Sequence, residues 1–292
     1  MLTQQLINGF MLGSVYALIA LGYTLVYGIL KFINFSHGDI YMWGAFSGMF
    51  VAGMLGKGNF LLVLLLTMII TGVLGVVVER LAYRPLRNAP RLVVTTSAIG
   101  MSIVLSNLAR LLIGSETFAM PHILKIQEYA IGKNAVINSL QILVFATALI
   151  LMLLLYWFFH FTRYGKAIRA ASEDQQIVGL MGINMNLVIS VTFFISSALA
   201  GAAGLLVGMN YDAVYSTMGY TAGLKAFTAA ILGGIGSIPG AMVGGLVLGV
   251  VENFGAAYLS QWRDGIAFAV MILVLLVKPS GLFNADIYRK RV

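Results

Sequence analysis

Nine apolar stretches, at 6–30, 40–55, 60–78, 92–113, 139–160, 187–209, 221–235, 240–259 and 265–277, occupy most of this 292-residue chain and fix what it can become. A helix needs about 20 residues to cross a bilayer's hydrocarbon, and most of the stretches qualify. The second, seventh and last are short, which makes them half-helices, helices buried by neighbours, or helices longer than their apolar cores. Composition agrees that the solvent is lipid. The chain is 60% hydrophobic and 10% charged with a mean hydropathy of +0.95, whereas a soluble domain is typically about 25% charged. The expected fold is an all-α integral membrane protein, a bundle of eight or nine transmembrane helices, some of them short or broken. So much of 1–292 is committed to spans that one transmembrane domain is expected, with any soluble catalytic domain on another chain. Lys31 is the first basic residue, so 6–30 lacks the basic start of a cleaved signal and reads as a permanent span.

Lys and Arg set the orientation. Arg80, Arg84, Arg87 and Arg91 share one short connection, Arg163, Lys166 and Arg169 another, and Lys278, Arg289, Lys290 and Arg291 the carboxyl end. The positive-inside rule makes these cytoplasmic, which also explains the net charge of +8 without nucleic acid. The 114–138 connection, balanced by Glu116, Lys125, Glu128 and Lys133, then lies outside with the amino terminus. Nine crossings close the parity; eight require one short segment to re-enter. Small-residue pairs inside the stretches, Gly9 with Gly13, Gly44 with Gly48, Gly204 with Gly208, Gly240 with Gly244 and Gly245 with Gly249, predict close helix packing.

The inventory for catalysis is poor. No G-x-x-x-x-G-K-[ST] loop exists, since Gly165 and Lys166 are followed by alanine. The three histidines, His37, His122 and His160, fall in separate regions, which argues against a metal site, and zero Cys excludes disulfides and thiol chemistry. Three constellations remain. INFSHGD (33–39) gathers Asn34, Ser36, His37 and Asp39 around Gly38 between two stretches. It reads either as a broken helix that offers amides and side chains to a polar solute, or as a helix cap formed by Asn34 or Ser36. KAFTAAILGGIGSIPGAMVGG (225–245) is a short helix broken at Gly233, Gly234 and Gly236 and resumed around Pro239, which suits a first helical turn. Glu252 follows inside the next span, and is either functional or paired with Asn253 or a neighbouring helix.

The third constellation, FTRYGKAIRAASEDQQIVGLMGINMN (161–186), is a charged segment between two stretches without charge. Ionised side chains at the bilayer centre cost roughly 2.5–3.5 kcal/mol each, so it lies outside the hydrocarbon. Gly165 is expected to break the helix that leaves the membrane, 167–179 to form a new helix and Gly182 to end it. Such a segment is either a solvated face or a docking surface for a soluble partner.

GKAIRAASEDQQIVGLMGIN (165–184) resembles the cytoplasmic coupling segment of permease subunits of bacterial ABC importers in the branched-chain amino acid family. MLGSVYALIALGYTLVYGILKFINFSHGDIYMWGAF (11–46) resembles that family's amino-terminal signature, ERLAYRPLR (79–87) its first basic loop, and AGLKAFTAAILGGIGSIPGAMVGGLVLGVVE (222–252) its carboxyl-terminal block. The resemblance implies a non-catalytic subunit of the ABC importer permease fold in the bacterial inner membrane. Implied partners are a homologous second permease, two cytoplasmic subunits that bind ATP and magnesium, and an extracytoplasmic substrate-binding protein. The chain itself would need no cofactor. By the same resemblance, Gly165, Lys166, Ala167, Arg169, Ala170, Glu173, Asp174 and Gly182 carry ATPase coupling. Asn34, His37, Asp39, Gly233, Gly234, Gly236 and Glu252 are candidates for the translocation path or its gate. The alternative is a proton- or sodium-coupled carrier of a small polar solute, with Asp39 and Glu252 as its ion-binding groups.

Overall fold

The structure, a computed structural model, describes residues 2–131 and 135–283. Eleven α-helices run among the described residues: α1 (Leu2–Leu30), α2 (His37–Leu55), α3 (Phe60–Val78), α4 (Arg91–Leu112), α5 (Ser139–Phe161), α6 (Arg163–Glu173), α7 (Gln175–Leu180), α8 (Met185–Tyr211), α9 (Met218–Gly233), α10 (Ile238–Tyr258) and α11 (Arg263–Val277). Seven are long and apolar enough to cross a membrane, α11 only with the preceding turn Ser260–Trp262. α2 and α9, of 19 and 16 residues, are not among these seven. The second and seventh stretches are helices that begin three residues before their apolar cores, and α9 ends two residues before its stretch does. One feature was not foreseen: an antiparallel hairpin, β1 (Glu128–Ile131) with β2 (Ala135–Asn138), in the 114–138 connection. Lys133, Arg289, Lys290 and Arg291 lie outside the described residues.

Helix ends follow local chemistry. Asn138 and Gln141 form a reciprocal capping box at the start of α5, and the Asn184 side chain accepts from the Asn186 and Leu187 amides at the start of α8. Pro239 stands in the first turn of α10, where the Ser237 hydroxyl accepts from the Gly240 amide. Gly234 and Gly236 supply the positive φ of the α9–α10 turn, at 99° and 100°. That break is where the sequence puts it.

α1 is buried on all sides from Ser14 to Val26, and the bundle is built around it. A Cβ on Gly249 or Gly245 would enter the α1 backbone at Gly13 or Ala17, and one on Gly9 or Gly13 would press on α10 at Val250 or Leu246. Gly44 of α2 meets the backbone of Gly201 on α8, and Gly204 meets Tyr41. Gly240 and Gly244 of α10 lie against Gly233 and Ala229 of α9. Apart from Gly208, which faces Val214 and Met120 of the irregular backbone, the small residues paired in the sequence therefore sit in helix crossings, where packing rather than hydrophobic expulsion holds helices together.

α2 and α9 start inside the bundle. The His37 ring, at the first residue of α2, contacts the Ile19 carbonyl at 3.2 Å, and Ile19 precedes the end of α1 by a rise of about 16 Å. After Leu30 the chain thus climbs back through 31–36 before α2 begins. After α8 it dips through 212–217, pinned by a bridge between Phe118 and Val214 and by the Asp212 carboxylate accepting from the Met120 amide at 3.0 Å. The two short helices meet at their amino ends, where Gly38 and Gly219 pack each against the other's carbonyl. The halves α1–α4 and α8–α11 repeat one pattern in opposite orientation: long helix, six-residue break, short helix, two more helices. Gly38, Ala45 and Phe46 recur as Gly219, Ala226 and Phe227, a constant separation of 181 residues. It is a faint trace of a repeat.

Two outcomes are expected. Gly249→Leu should lower the thermal stability of the purified protein in detergent, since overpacking costs about 1–3 kcal/mol, whereas Gly100→Ala, with nothing within 4 Å of its new methyl, should be neutral or stabilising. Single cysteines at Arg84, Lys166 and Lys278 should react with an impermeant thiol reagent from one side of the membrane, and a cysteine at Lys125 from the other.

Candidate translocation path and coupling surface

The sequence-derived path residues fall in three places. Asn34, His37 and Asp39 gather at the 31–36 break, Gly233, Gly234 and Gly236 form the turn on the basic face, and Glu252 sits on the far side of the bundle's middle. At the break, the Asn34 side-chain oxygen accepts from the Ser36 hydroxyl at 2.7 Å and from the Tyr83 hydroxyl at 2.6 Å. Neither Asn34 nor Ser36 caps α2 with its side chain, contrary to the capping alternative. The pull of Tyr83 explains the difference. A π-helical turn, Glu79–Tyr83, follows α3, and Tyr83 lies stacked on Phe32 beneath the break. His37 is fully buried, edge-on to Tyr23 with ring centroids 4.7 Å apart, in space left by Gly22. Asp39 accepts from the Ser102 hydroxyl of α4 and lines a cavity of about 260 Å³.

Glu252 is wholly buried and does not pair with Asn253, whose amide reaches Gln5 instead. Its carboxylate accepts from Lys225 Nζ of α9 at 2.8 Å and Arg263 Nε of α11 at 2.7 Å, and Lys225 also meets Asp264 at 2.6 Å. These partners were not anticipated from sequence. The signal was there in Lys225, a lone cation inside an apolar stretch that needed a counter-charge. Beside this cluster a second cavity, about 420 Å³, is lined by Tyr16, Tyr41, Tyr211 and Tyr215 together with Lys225 and Arg263. On the basic face the other half carries a related device, a buried Glu79 held by Arg87 at 2.9 Å and by the Ser190 hydroxyl at 3.0 Å. Partial burial lowers the Arg87 pKa from its ordinary value, and the neighbouring Glu79 opposes that shift.

The charged segment folds as two helices, not one. Thr162 caps α6 by accepting from the Gly165 amide at 3.0 Å, and Asp174 caps α7 by accepting from Gln176 and Ile177 at 2.8 and 3.1 Å. The break after α5 therefore lies at Thr162 rather than Gly165. Gly165 is needed for a different reason, because a Cβ there would enter the backbone of Phe158 and Phe159. Gly182, with φ of 80°, ends the segment as expected. Lys166, Ala170, Glu173 and Asp174 are exposed and Ala167 is half-buried. Arg169 instead turns inward to the Phe159 carbonyl at 2.6 Å, closing the end of α5. Gln175 donates to the Ile29 carbonyl at 2.6 Å, tying the segment to the end of α1. Ile177, Leu180 and Met181 project as an exposed apolar stripe, with Leu180 90% exposed. Between α6 and the 236–239 turn lies a groove of about 580 Å³.

A helical bundle of membrane-length spans broken at its centre, with a charged segment tied to its core helix, is the architecture of a membrane transport permease. The family model described as branched-chain amino acid transport system / permease component matches residues 5–275. The high-affinity branched-chain amino acid transport system permease proteins LivH of Salmonella typhimurium and BraD of Pseudomonas aeruginosa are each 46% identical to the chain, over 96% of it and 95% of the relative. A solved structure, PsaBC from Streptococcus pneumoniae in complex with Fab, aligns over 95% of this chain and 92% of its own at a TM-score of 0.48 and 13% identity. The chain belongs to the family of branched-chain amino acid transport permease components.

The Glu252 cluster makes a prediction. Glu252→Leu or Lys225→Leu alone should lower stability sharply, because breaking a buried pair costs about 3–5 kcal/mol, and the double variant should lose less than the two losses added. Thermal unfolding of the four proteins in one detergent measures it.

Proposed function

We propose that this chain is the membrane-spanning subunit of an ATP-driven importer of branched-chain amino acids in a bacterial plasma membrane. In this reading it works beside a second, homologous permease, above two cytoplasmic ATP-binding subunits, and receives substrate from an extracytoplasmic binding protein. ATP and magnesium belong to the ATPase subunits. The chain supplies a path and a two-state bundle and no bond chemistry. Residues 1–292 act as one permease domain, with 161–186 as its coupling segment.

One observation carries the coupling role: the segment is exposed where a partner would grip it and bonded where it would transmit. An apolar stripe outside the hydrocarbon marks a protein contact, and Ile177, Leu180 and Met181 supply it beside exposed Ala170 and Glu173. Lys166, Glu173 and Asp174 would set register by charge, while Gly165, Ala167 and Gly182 shape the segment. Behind that surface, Gln175 grips α1 and Arg169 grips α5. A push from dimerising ATPases would move the end of α1, and the 31–36 break begins directly after it. The groove against the α9–α10 turn would carry the same push to Gly233, Gly234 and Gly236. The ion-coupled alternative finds less support, since Glu252 is committed to two cations and the family is one of permease components.

Leu180→Asp and Ala170→Glu should each reduce co-purification of the ATPase subunits and leucine uptake by about tenfold or more while leaving the permease inserted, since placing a charge in a desolvated contact costs at least about 1.4 kcal/mol. Leucine uptake by vesicles with internal ATP should persist when an uncoupler removes the proton gradient. Normal assembly with both variants would remove the segment's docking role, and collapse of uptake under the uncoupler would restore the carrier reading.

A further inference from the structure

Asp39 is a carboxylate 5% exposed, set about midway along the bundle, and the ion pairs among the described residues leave it without a cation. Buried charges are ordinarily paired or bound to a ligand. Among the described residues Ser102 is its one side-chain hydrogen-bond donor, and the position in the first turn of α2 suits a negative charge, because the positive end of the helix dipole lies there. The carboxylate lines a cavity of about 260 Å³ whose other walls are mostly apolar, among them Phe35, Ile99 and Leu224, with the Tyr23 ring behind. Gly38, Gly219 and Gly223 also line it, packed backbone against backbone where the amino ends of α2 and α9 meet. The mouth lies between α4 and α9, framed by Ile99 at 45% and Tyr220 at 70% exposure. The mouth thus presents one apolar and one amphipathic side chain.

We propose that this cavity is a transient binding site for the transported amino acid, in which Asp39 takes the α-ammonium group and Phe35, Ile99 and Leu224 receive the aliphatic side chain. The inference rests on the transport reading and adds a substrate contact inside the membrane. A small pocket with apolar walls and one charged group at its end is the form a site for such a molecule takes. Its position has a use. It lies where the amino ends of α2 and α9 meet, so movement of either short helix changes the cavity and can release what it holds. The site also demands a protonated amine at the α-carbon, which an aliphatic wall alone does not.

The test needs neither ATP nor uptake, so its result is separate from that of the transport reading, which fails on its own if the wild-type complex shows no ATP-driven uptake. Ile99→Cys places one thiol at the mouth of the cavity in a chain without cysteines, and its modification by a small neutral methanethiosulfonate is followed in the assembled complex. L-leucine and 3-methylbutylamine, which carry an ammonium group, should slow modification by about tenfold at saturation, and 4-methylpentanoate, which has only the carboxylate, should not. Asp39→Asn in the same background should abolish protection while the variant still assembles with the ATPase subunits. Protection by 4-methylpentanoate equal to that by leucine, protection surviving Asp39→Asn, or no protection by any of the three would overturn the assignment. The ligand series on the Ile99→Cys chain with Asp39 intact decides the matter even if Asp39→Asn does not fold.

Discussion

Backbone that leaves a helix inside a membrane has only other protein against which to place its N–H and C=O groups, and the breaks at 31–36 and 212–217 impose that requirement on the whole bundle. Each break is enclosed. Asn34 and Ser36 are buried and tied to Tyr83, and Val214 is buried and bridged to Phe118. Such enclosure needs helices closer together than ordinary side chains permit, which is why glycine lies at each crossing around α1, α2, α8, α9 and α10. Gly22 yields its place to the His37 ring for the same reason.

The charged groups divide along the same lines. Away from the basic face, the Glu252, Lys225, Arg263 and Asp264 cluster joins α9, α10 and α11, while on the basic face Glu79 and Arg87 join the end of α3 to the start of α8 through Ser190 and Asn186. Desolvating the buried members, Glu252, Lys225 and Glu79, costs several kcal/mol per ion, and each cluster recovers that only while its helices stay in register. They act as fixed points. Between them lie the amino ends of the two short helices, where Gly38 and Gly219 pack together.

Much of this was legible in the residues. Hydropathy located every membrane-scale helix, the Gly234–Pro239 turn followed from residue chemistry, and the spacing of small residues anticipated the crossings. What it missed depends on contacts distant in sequence. Ser36 has the chemistry of a helix cap, but its hydroxyl donates to the Asn34 side chain, whose oxygen is also held by Tyr83 from 49 residues away. Glu252 announced itself as an intramembrane acid, but its choice of Lys225 and Arg263 over Asn253 is set by how α9 and α11 pack. The split of the charged segment at Asp174 was readable in principle, since an aspartate before two glutamines is a good helix start. The dip of the chain before α2 and α9 leaves no periodicity to read, because six residues of irregular backbone carry no pattern.

The reciprocal seat of Gly38 on Gly219 has a consequence for how such a chain can change over time. If the two halves descend from one duplicated ancestor, most positions are free to drift apart after duplication, because a residue in one half no longer answers to its counterpart. These two glycines are an exception. Each occupies the space that the other's side chain would need, so a substitution in either half is a lesion in both, and neither partner can compensate by shrinking further. The oldest trace of the duplication should therefore survive at this one point, held there by geometry rather than by any shared chemical task.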